Sequence, residues 1–242
     1  MKNNNITAQI AILLLSFGIS NTVYGMGLRS FVALPVEKDG AVVRLAFEHT
    51  KKSDIDSITT SLAYGLSANQ TVLLGLPYRL SPAGKDRQGD VSVLYRHIAW
   101  KNDSFMGTDR FGVLAGLVVP TENDRDTAVQ AGFVFTHFKN RNEIDVDFLY
   151  QLGIDNRLDS GRYDLSWQYR LFPVDRPNWG FASELNTVVE LNGRWAEDNT
   201  VTHQLTLGLQ WIHQKVVIEG GMVNDLNNAN ETRFILSTRF HF

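Results

Sequence analysis

Histidine side chains are the first candidates for acid–base or metal chemistry in this chain, because they titrate near neutral pH. Five of them lie near the ends of the strands predicted below: His49, His97, His137, His203 and His213. No serine is spaced to contact one of them across a predicted hairpin, and neither a Gly-x-Ser-x-Gly nor a His-Glu-x-x-His motif occurs. The chain also has no cysteine, which excludes disulfides and thiolate chemistry. We therefore predict no enzymatic activity, no metal site and no cofactor.

The overall charge separates further classes of function. The chain has 242 residues, a formal net charge of −3, and 23 basic against 26 acidic side chains. Neutralising phosphates requires an excess of basic residues, so we expect no nucleic-acid partner. The slightly negative mean hydropathy excludes a helical membrane protein. It does not exclude a transmembrane barrel, in which apolar and polar residues alternate.

Residues 1–25 have the three parts of a secretory signal peptide. A basic start is followed by the apolar run Ile10–Leu15 and by a polar end that carries Val23 and Gly25 at the positions a signal peptidase reads. We expect cleavage after Gly25, which leaves residues 26–242 as the mature domain. A retained membrane anchor is the alternative, although the apolar run is short for a membrane-spanning helix.

The mature chain alternates between apolar and polar residues from end to end, which is the signal of β-strands. The pattern predicts twelve strands with these approximate bounds: 41–49, 57–66, 70–79, 90–99, 109–119, 127–138, 143–154, 161–172, 179–191, 200–212, 215–223 and 232–242. They are longer than the five or six residues typical of soluble sheets and match the ~9–11 residues that a tilted strand needs to cross a bilayer. We predict an all-β fold, a single twelve-stranded antiparallel transmembrane barrel of the outer-membrane type.

The connections between the predicted strands support this fold. The odd-numbered connections are polar and often long, and most even-numbered ones are tight, except near residues 101–108 and 173–178. An outer-membrane barrel has long outer loops, short periplasmic turns and both termini on the periplasmic side. A soluble sandwich or a soluble large barrel is the alternative, but twelve long strands would enclose a space too wide for side chains to fill.

The end of the chain carries a candidate assembly signal. Alternation continues to the terminal residues Phe240 and Phe242, and a terminal phenylalanine resembles the signal by which bacterial outer-membrane barrels are recognised. We therefore expect the cell outer membrane of a Gram-negative bacterium as the location, reached by export. The expected partners are outer-membrane lipids, the barrel-assembly machinery and a small-molecule solute.

The polar phase of the strands faces the lumen of such a barrel. Strands one to four and twelve give it a predicted basic wall: Arg44, Arg79, Arg96, Arg233 and Arg239. Strands seven to nine give it a predicted acidic wall, to which one base, Arg170, is assigned: Glu143, Asp145, Asp147, Asp164, Glu184 and Glu190. Strand twelve closes on strand one, so the two walls face each other.

Two consequences of these walls stay open from the sequence. In an open pore they would create a transverse field that orders water and aligns dipolar solutes. Alternatively, the charges pair with one another and brace or plug the lumen. Glycines of the lumen phase, such as Gly116 and Gly208, either keep room inside or ease the curvature of the sheet.

Three short segments carry a resemblance to a known family. In order, they are Tyr64–Gln70, Leu74–Tyr78 and the strand start at Gly89-Asp90-Val91, which continues to Leu94-Tyr95-Arg96. Together they resemble the outer-membrane barrels named "MetA-pathway of phenol degradation". The resemblance implies a transporter of hydrophobic or aromatic compounds and structural roles for Pro77, Gly89 and Asp90. Independently of it, Pro77 lacks an amide donor and should mark a bulge or the barrel rim.

These observations predict an outer-membrane, porin-like channel or transporter for small solutes, with hydrophobic or aromatic compounds as the implied class. A non-conducting structural or adhesive barrel is the first alternative. An outer-membrane lipid hydrolase is the second, and a serine–histidine contact at the rim would favour it.

Overall fold

The structure is a computed structural model that describes residues 27–84, 86–175, 183–227 and 230–242. The predicted signal peptide, residues 1–25, lies outside the described residues. No helix in the described part of the chain could cross a membrane. The described residues form twelve strands: β1 Ala41–Thr50, β2 Ile55–Ser67, β3 Gln70–Ser81, β4 Val91–Ser104, β5 Gly107–Val119, β6 Ala128–Lys139, β7 Asn142–Gly153, β8 Ser160–Phe172, β9 Glu184–Ala196, β10 Thr202–His213, β11 Val216–Asp225 and β12 Thr232–His241.

The twelve strands close into one antiparallel barrel in which every strand pairs with its neighbours in sequence and β1 pairs with β12. The seam pairs Val42 with His241 and continues to Thr50 and Arg233. Closure removes the free edges that an open sheet would expose, and in a bilayer it satisfies every backbone group between strands. The predicted fold is confirmed.

The two faces of the strands separate as the alternation predicts. On β7, Asp145 and Asp147 are fully buried in the lumen, whereas Tyr150 is 37% exposed on the outside. Phe148 lies on the outer face, where its ring stacks on Phe133 with centroids 6.0 Å apart. Apolar side chains therefore cover the outside of the barrel and polar side chains fill its interior, as in a transmembrane barrel.

The two ends of the barrel differ in their connections, and we name them accordingly. At the turn end, successive strands are joined by the residue pairs 68–69, 105–106, 140–141 and 214–215. The first residue of β1, Ala41, and Phe242 lie at the same end. Met106, Asn140 and Gln214 adopt positive φ values of 61°, 58° and 52° in these turns. The loop end carries longer connections, such as 82–90 and 120–127, and the turn end has one long connection, residues 173–183 between β8 and β9.

Two sequence predictions about strand ends are wrong. The connection near residues 101–108 is a two-residue turn, because β4 and β5 pair up to Ser104 and Gly107. Strand nine, Glu184–Ala196, ends at 196 and not at 191, and its predicted first residues 179–182 lie outside the described residues. Asn and Gly favour turns, yet Asn192 pairs with Asp164 inside the ladder.

Candidate functional site

Residues 27–34, which we call the strap, lie inside the barrel. Leu28, Val32 and Ala33 are 2%, 1% and 0% exposed. Hydrogen bonds join the strap to β12 and β1 on one side of the lumen and to β6, β7 and β9 on the other. The strap therefore crosses the lumen from wall to wall.

The carbonyl groups of the strap accept hydrogen bonds from the basic wall. Arg239 donates to the carbonyl oxygen of Gly27 at 3.0 Å, and Arg44 donates to that of Leu28. Arg96 donates to the carbonyls of two strap residues, Val32 and, at 2.8 Å, Leu34. Three of the five predicted basic-wall arginines thus bind peptide carbonyls.

The amide groups of the strap point the opposite way. Both carboxylate oxygens of Glu190 accept the amide of Arg29, at 3.1 and 3.2 Å. Asp147 accepts the amide of Phe31 at 2.7 Å. The amides therefore face the acidic wall while the carbonyls face the basic wall. Direct hydrogen bonds to charged side chains on both sides of the lumen therefore orient the peptide groups of the strap.

Apolar contacts fix the strap at two further points. Leu28 lies against glycines of β10 and β11: a Cβ added to Gly208 would be 2.3 Å from Leu28 Cδ1, and one added to Gly221 would be 3.1 Å from it. At the other end, Ala33 packs into a buried cluster with Leu94, Ile98, Leu114, Val134 and Leu149. Gly208 therefore provides space inside the barrel, which was one of its two sequence interpretations.

The basic wall is neutralised largely on its own side of the barrel. Arg44 and Arg239 both pair with Glu219 of β11, whose side chain is fully buried. Arg233 pairs with Asp225 at 2.8 Å. Glu219 was not among the predicted lumen charges, because it is a single acid among the apolar and glycine residues at the start of β11. Arg79 lies near the loop end of β3, where its backbone carbonyl accepts from Arg87 at 2.9 Å.

The acidic wall is buried more completely. Its members Glu143, Asp145, Asp147, Asp164 and Glu190 are all between 0% and 3% exposed. Glu184 lies 3.8 Å from Arg170. The assignment of a single base to this wall is wrong: Arg194 contacts Asp164 at 2.6 Å, and Arg162 lies 3.7 Å from Asp147. Both arginines lie where the sequence analysis had placed strand ends or connections.

The histidines make polar contacts near the strand ends. His137 contacts Asp109 at 2.5 Å and His203 contacts the Tyr163 hydroxyl at 2.6 Å. The prediction that no serine contacts a histidine is wrong, because Ser183 Oγ lies 2.7 Å from Nδ1 of His213. The start of β9 at Glu184, later than predicted, brings Ser183 opposite the end of β10.

Asp90 joins three loops at the loop end. Its carboxylate accepts from Arg125 at 3.0 Å, from Arg157 at 2.7 Å and from the amide of Thr121 at 3.3 Å. Partial burial works against the charged carboxylate, but the hydrogen bonds from Arg157, Arg125 and Thr121 outweigh burial and hold the pKa of Asp90 below its ordinary value. Pro77 lies beyond the last β3–β4 pair, at the barrel rim as predicted.

No protein-family model and no curated protein matches this sequence. Solved structures do resemble it in fold. A KdgM porin superposes with a TM-score of 0.57 at 9% identity, covering 83% of this chain and 99% of that chain. The COG4313 outer membrane channel from Pseudomonas putida F1 superposes with a TM-score of 0.55 at 15% identity, covering 91% and 100%. At these identities the likeness shows the fold alone, and that fold is the twelve-stranded outer-membrane barrel.

Proposed function

We propose that this protein is an outer-membrane channel for small solutes whose lumen is closed by its own strap. The proposal includes export by the predicted signal peptide to the outer membrane of a Gram-negative bacterium. The supporting fold neighbours carry the names porin and outer membrane channel. The resemblance to the "MetA-pathway of phenol degradation" barrels supports the same class, and hydrophobic or aromatic solutes are the class that it implies.

One observation carries the proposal: the strap crosses a polar lumen and is held there by hydrogen bonds. Its backbone is held by side chains of the walls, with Arg96 donating to Val32 and Leu34 and Glu190 accepting from Arg29. Each such hydrogen bond contributes only about 0.5–3 kcal/mol net, because water replaces it when it breaks. Displacement of the strap would leave a lumen lined by charged and amide side chains that water can enter.

Single-channel recording in planar lipid bilayers tests this function. The mature wild-type protein should show rare openings. Arg96→Met should raise the open probability several-fold, because it removes two donors to the strap. Lys101→Gln, which changes an exposed residue in the β4–β5 hairpin, should match the wild type.

The first alternative, a non-conducting structural or adhesive barrel, predicts a different record. If neither the wild type nor Arg96→Met passes current at any salt concentration, and liposomes that carry either protein exclude small solutes, the channel proposal fails.

A second candidate, an outer-membrane lipid hydrolase, rests on the contact between Ser183 and His213. His213 also stacks on Trp211, with ring centroids 5.6 Å apart. A hydrolase would release fatty acid from phospholipid vesicles and lose that activity in Ser183→Ala. A channel would release none in either form.

We also propose that Phe240 and Phe242 form the assembly signal read by the barrel-assembly machinery. Both rings are exposed, at 38% and 47%. The Phe242 amide donates to the carbonyl of Ala41 at 2.8 Å, which holds the last residue at the seam. Phe242→Ser should lower the amount of folded barrel in the outer membrane of cells while leaving refolding in detergent unchanged.

A further inference from the structure

One row of lumen side chains on the acidic wall has hydrogen-bonding capacity that the described contacts leave unused. Glu143 pairs across the ladder with Gln168, and Asp145 pairs with Ser166. These four side chains, which we call the acceptor pocket, are between 0% and 5% exposed. Glu143 Oε1, Asp145 Oδ2, Ser166 Oγ and Gln168 Oε1 all lack a hydrogen-bond partner.

Leaving such atoms unpaired is costly. A buried polar atom without a partner has lost its hydrogen bonds to water and gained none, and a buried carboxylate loses more. The described contacts include one donor to this pocket, the Thr136 hydroxyl, which reaches Asp145 Oδ1 at 2.5 Å. Glu143 and Asp145 repel each other when both are charged and share a hydrogen bond when one of them carries a proton, and Arg239 attracts Glu143. The four acceptor atoms without a partner therefore suit a donor group with positive charge.

The number and type of the acceptors select the kind of cation. Divalent ions bind through six or more oxygens, several of them carboxylate. Among the described residues, acidic donor atoms gather in a group of three within 4.8 Å only at Asp86, Glu122 and Asp124, on the loops. An ammonium group carries one charge and three donors and suits two carboxylates, a hydroxyl and an amide oxygen.

We propose that the acceptor pocket binds a primary ammonium group. This group has two sources, the amino terminus of the mature chain or a free amine in the lumen. Glu190 links the acceptor pocket to the start of the strap. It pairs with the pocket residue Ser166 across the β8–β9 ladder, and it also lies beside Gly27. A Cβ added to Gly27 would lie 2.3 Å from Glu190 Oε1. Cleavage after Gly25 would place the ammonium one residue before Gly27, about 3.8 Å along the chain.

Amine acylation of mature protein from outer membranes tests the first source. If the chain's own terminus fills the pocket, its α-amine should react at least ten-fold more slowly in the folded barrel than in urea. Glu143→Gln combined with Asp145→Asn should remove that protection. Glu37→Gln, which changes an exposed acid, should retain it.

Thermal unfolding tests the second source. If the pocket takes a free amine, methylammonium chloride should raise the Tm of the wild type above the value in equal potassium chloride, and the double variant should not respond. An α-amine that reacts as in urea, together with equal Tm values in the two salts, would overturn the proposal and leave a proton shared by Glu143 and Asp145. Neither measurement depends on conductance, so the ammonium site stands or falls separately from the channel.

Discussion

Arg239 of β12 and Glu219 of the neighbouring strand β11 form an ion pair, and their side chains are 1% and 0% exposed. Arg44, on the other side of the seam, pairs with the same carboxylate. One acid thus holds guanidinium groups from both strands that close the barrel, β1 and β12.

Removing the charge of Glu219 should destabilise the barrel strongly. Glu219→Gln takes from the buried Arg239 and the partly buried Arg44 the carboxylate that they share, and breaking a buried pair in this way costs about 3–5 kcal/mol. Urea unfolding of the protein in lipid vesicles, followed by tryptophan fluorescence, measures the loss. Glu37→Gln is the control, and an equal effect of both substitutions would show that the pair contributes nothing specific.

Phe148 tests which face of the barrel meets lipid. Phe148→Arg places a charge on the outer face in the middle of β7, which should cost about 2–4 kcal/mol in a bilayer. Phe148→Leu keeps the face apolar and should cost much less. The same vesicle-based unfolding assay gives both values. A neutral effect of the arginine would mean that this face is not in contact with lipid.

The packing of Leu28 against Gly208 and Gly221 should control how often the strap leaves the lumen. Leu28→Ala removes a side chain that is 2% exposed, which should weaken strap binding by about 2–5 kcal/mol. Trypsin cleavage after Arg29, followed by mass spectrometry, should then become faster. Cleavage after the exposed Lys38 is the internal reference. Unchanged protection of Arg29 would mean that Leu28 does not hold the strap.

Asp90 should make the loop end sensitive to acid. The folded-state pKa of Asp90 is lowered from its ordinary value of 3.8. The charged carboxylate therefore stabilises the folded protein fully above pH 3.8, and this stabilisation is lost as the pH falls through the folded-state pKa. The wild type should exceed Asp90→Asn by about 1.5–3 kcal/mol at pH 7. The gap should shrink as the pH falls below 3.8 and close once Asp90 is protonated in the folded state. Asp54→Asn, on another loop, is the control, and a gap that persists in acid would contradict the prediction.

Alternation was sufficient to predict the barrel, because each strand must present one face to lipid and one to the lumen. Asp145 and Phe148 are on the faces that their phase indicates. Strand ends were less predictable. Asn192 and Gly193 are residue types that favour turns, but both lie in a strand whose pairing with β8 and β10 extends past them.

The strap could not be predicted from the sequence for a different reason. It is held largely through backbone amides and carbonyls, such as those of Phe31 and Leu34, and every residue except proline offers both groups. The sequence shows the two charged walls that hold the strap. It does not show the strap, because a segment held through its backbone needs no particular side chains. Gly208 was the one available signal, and its two interpretations could not be separated without Leu28.

The connection between the strap and β1 has a kinetic consequence. The chain leaves the lumen at the turn end through Glu37–Gly40, where the amide of Gly40 donates to the carbonyl of Glu37 at 3.0 Å and that of Asp39 donates to Gly65 at 2.8 Å. A displaced strap would stay attached there, as a tethered blocker at an effective concentration of about 1 mM. Closed times should therefore be independent of protein concentration, and a soluble peptide with the strap sequence should compete only at millimolar levels.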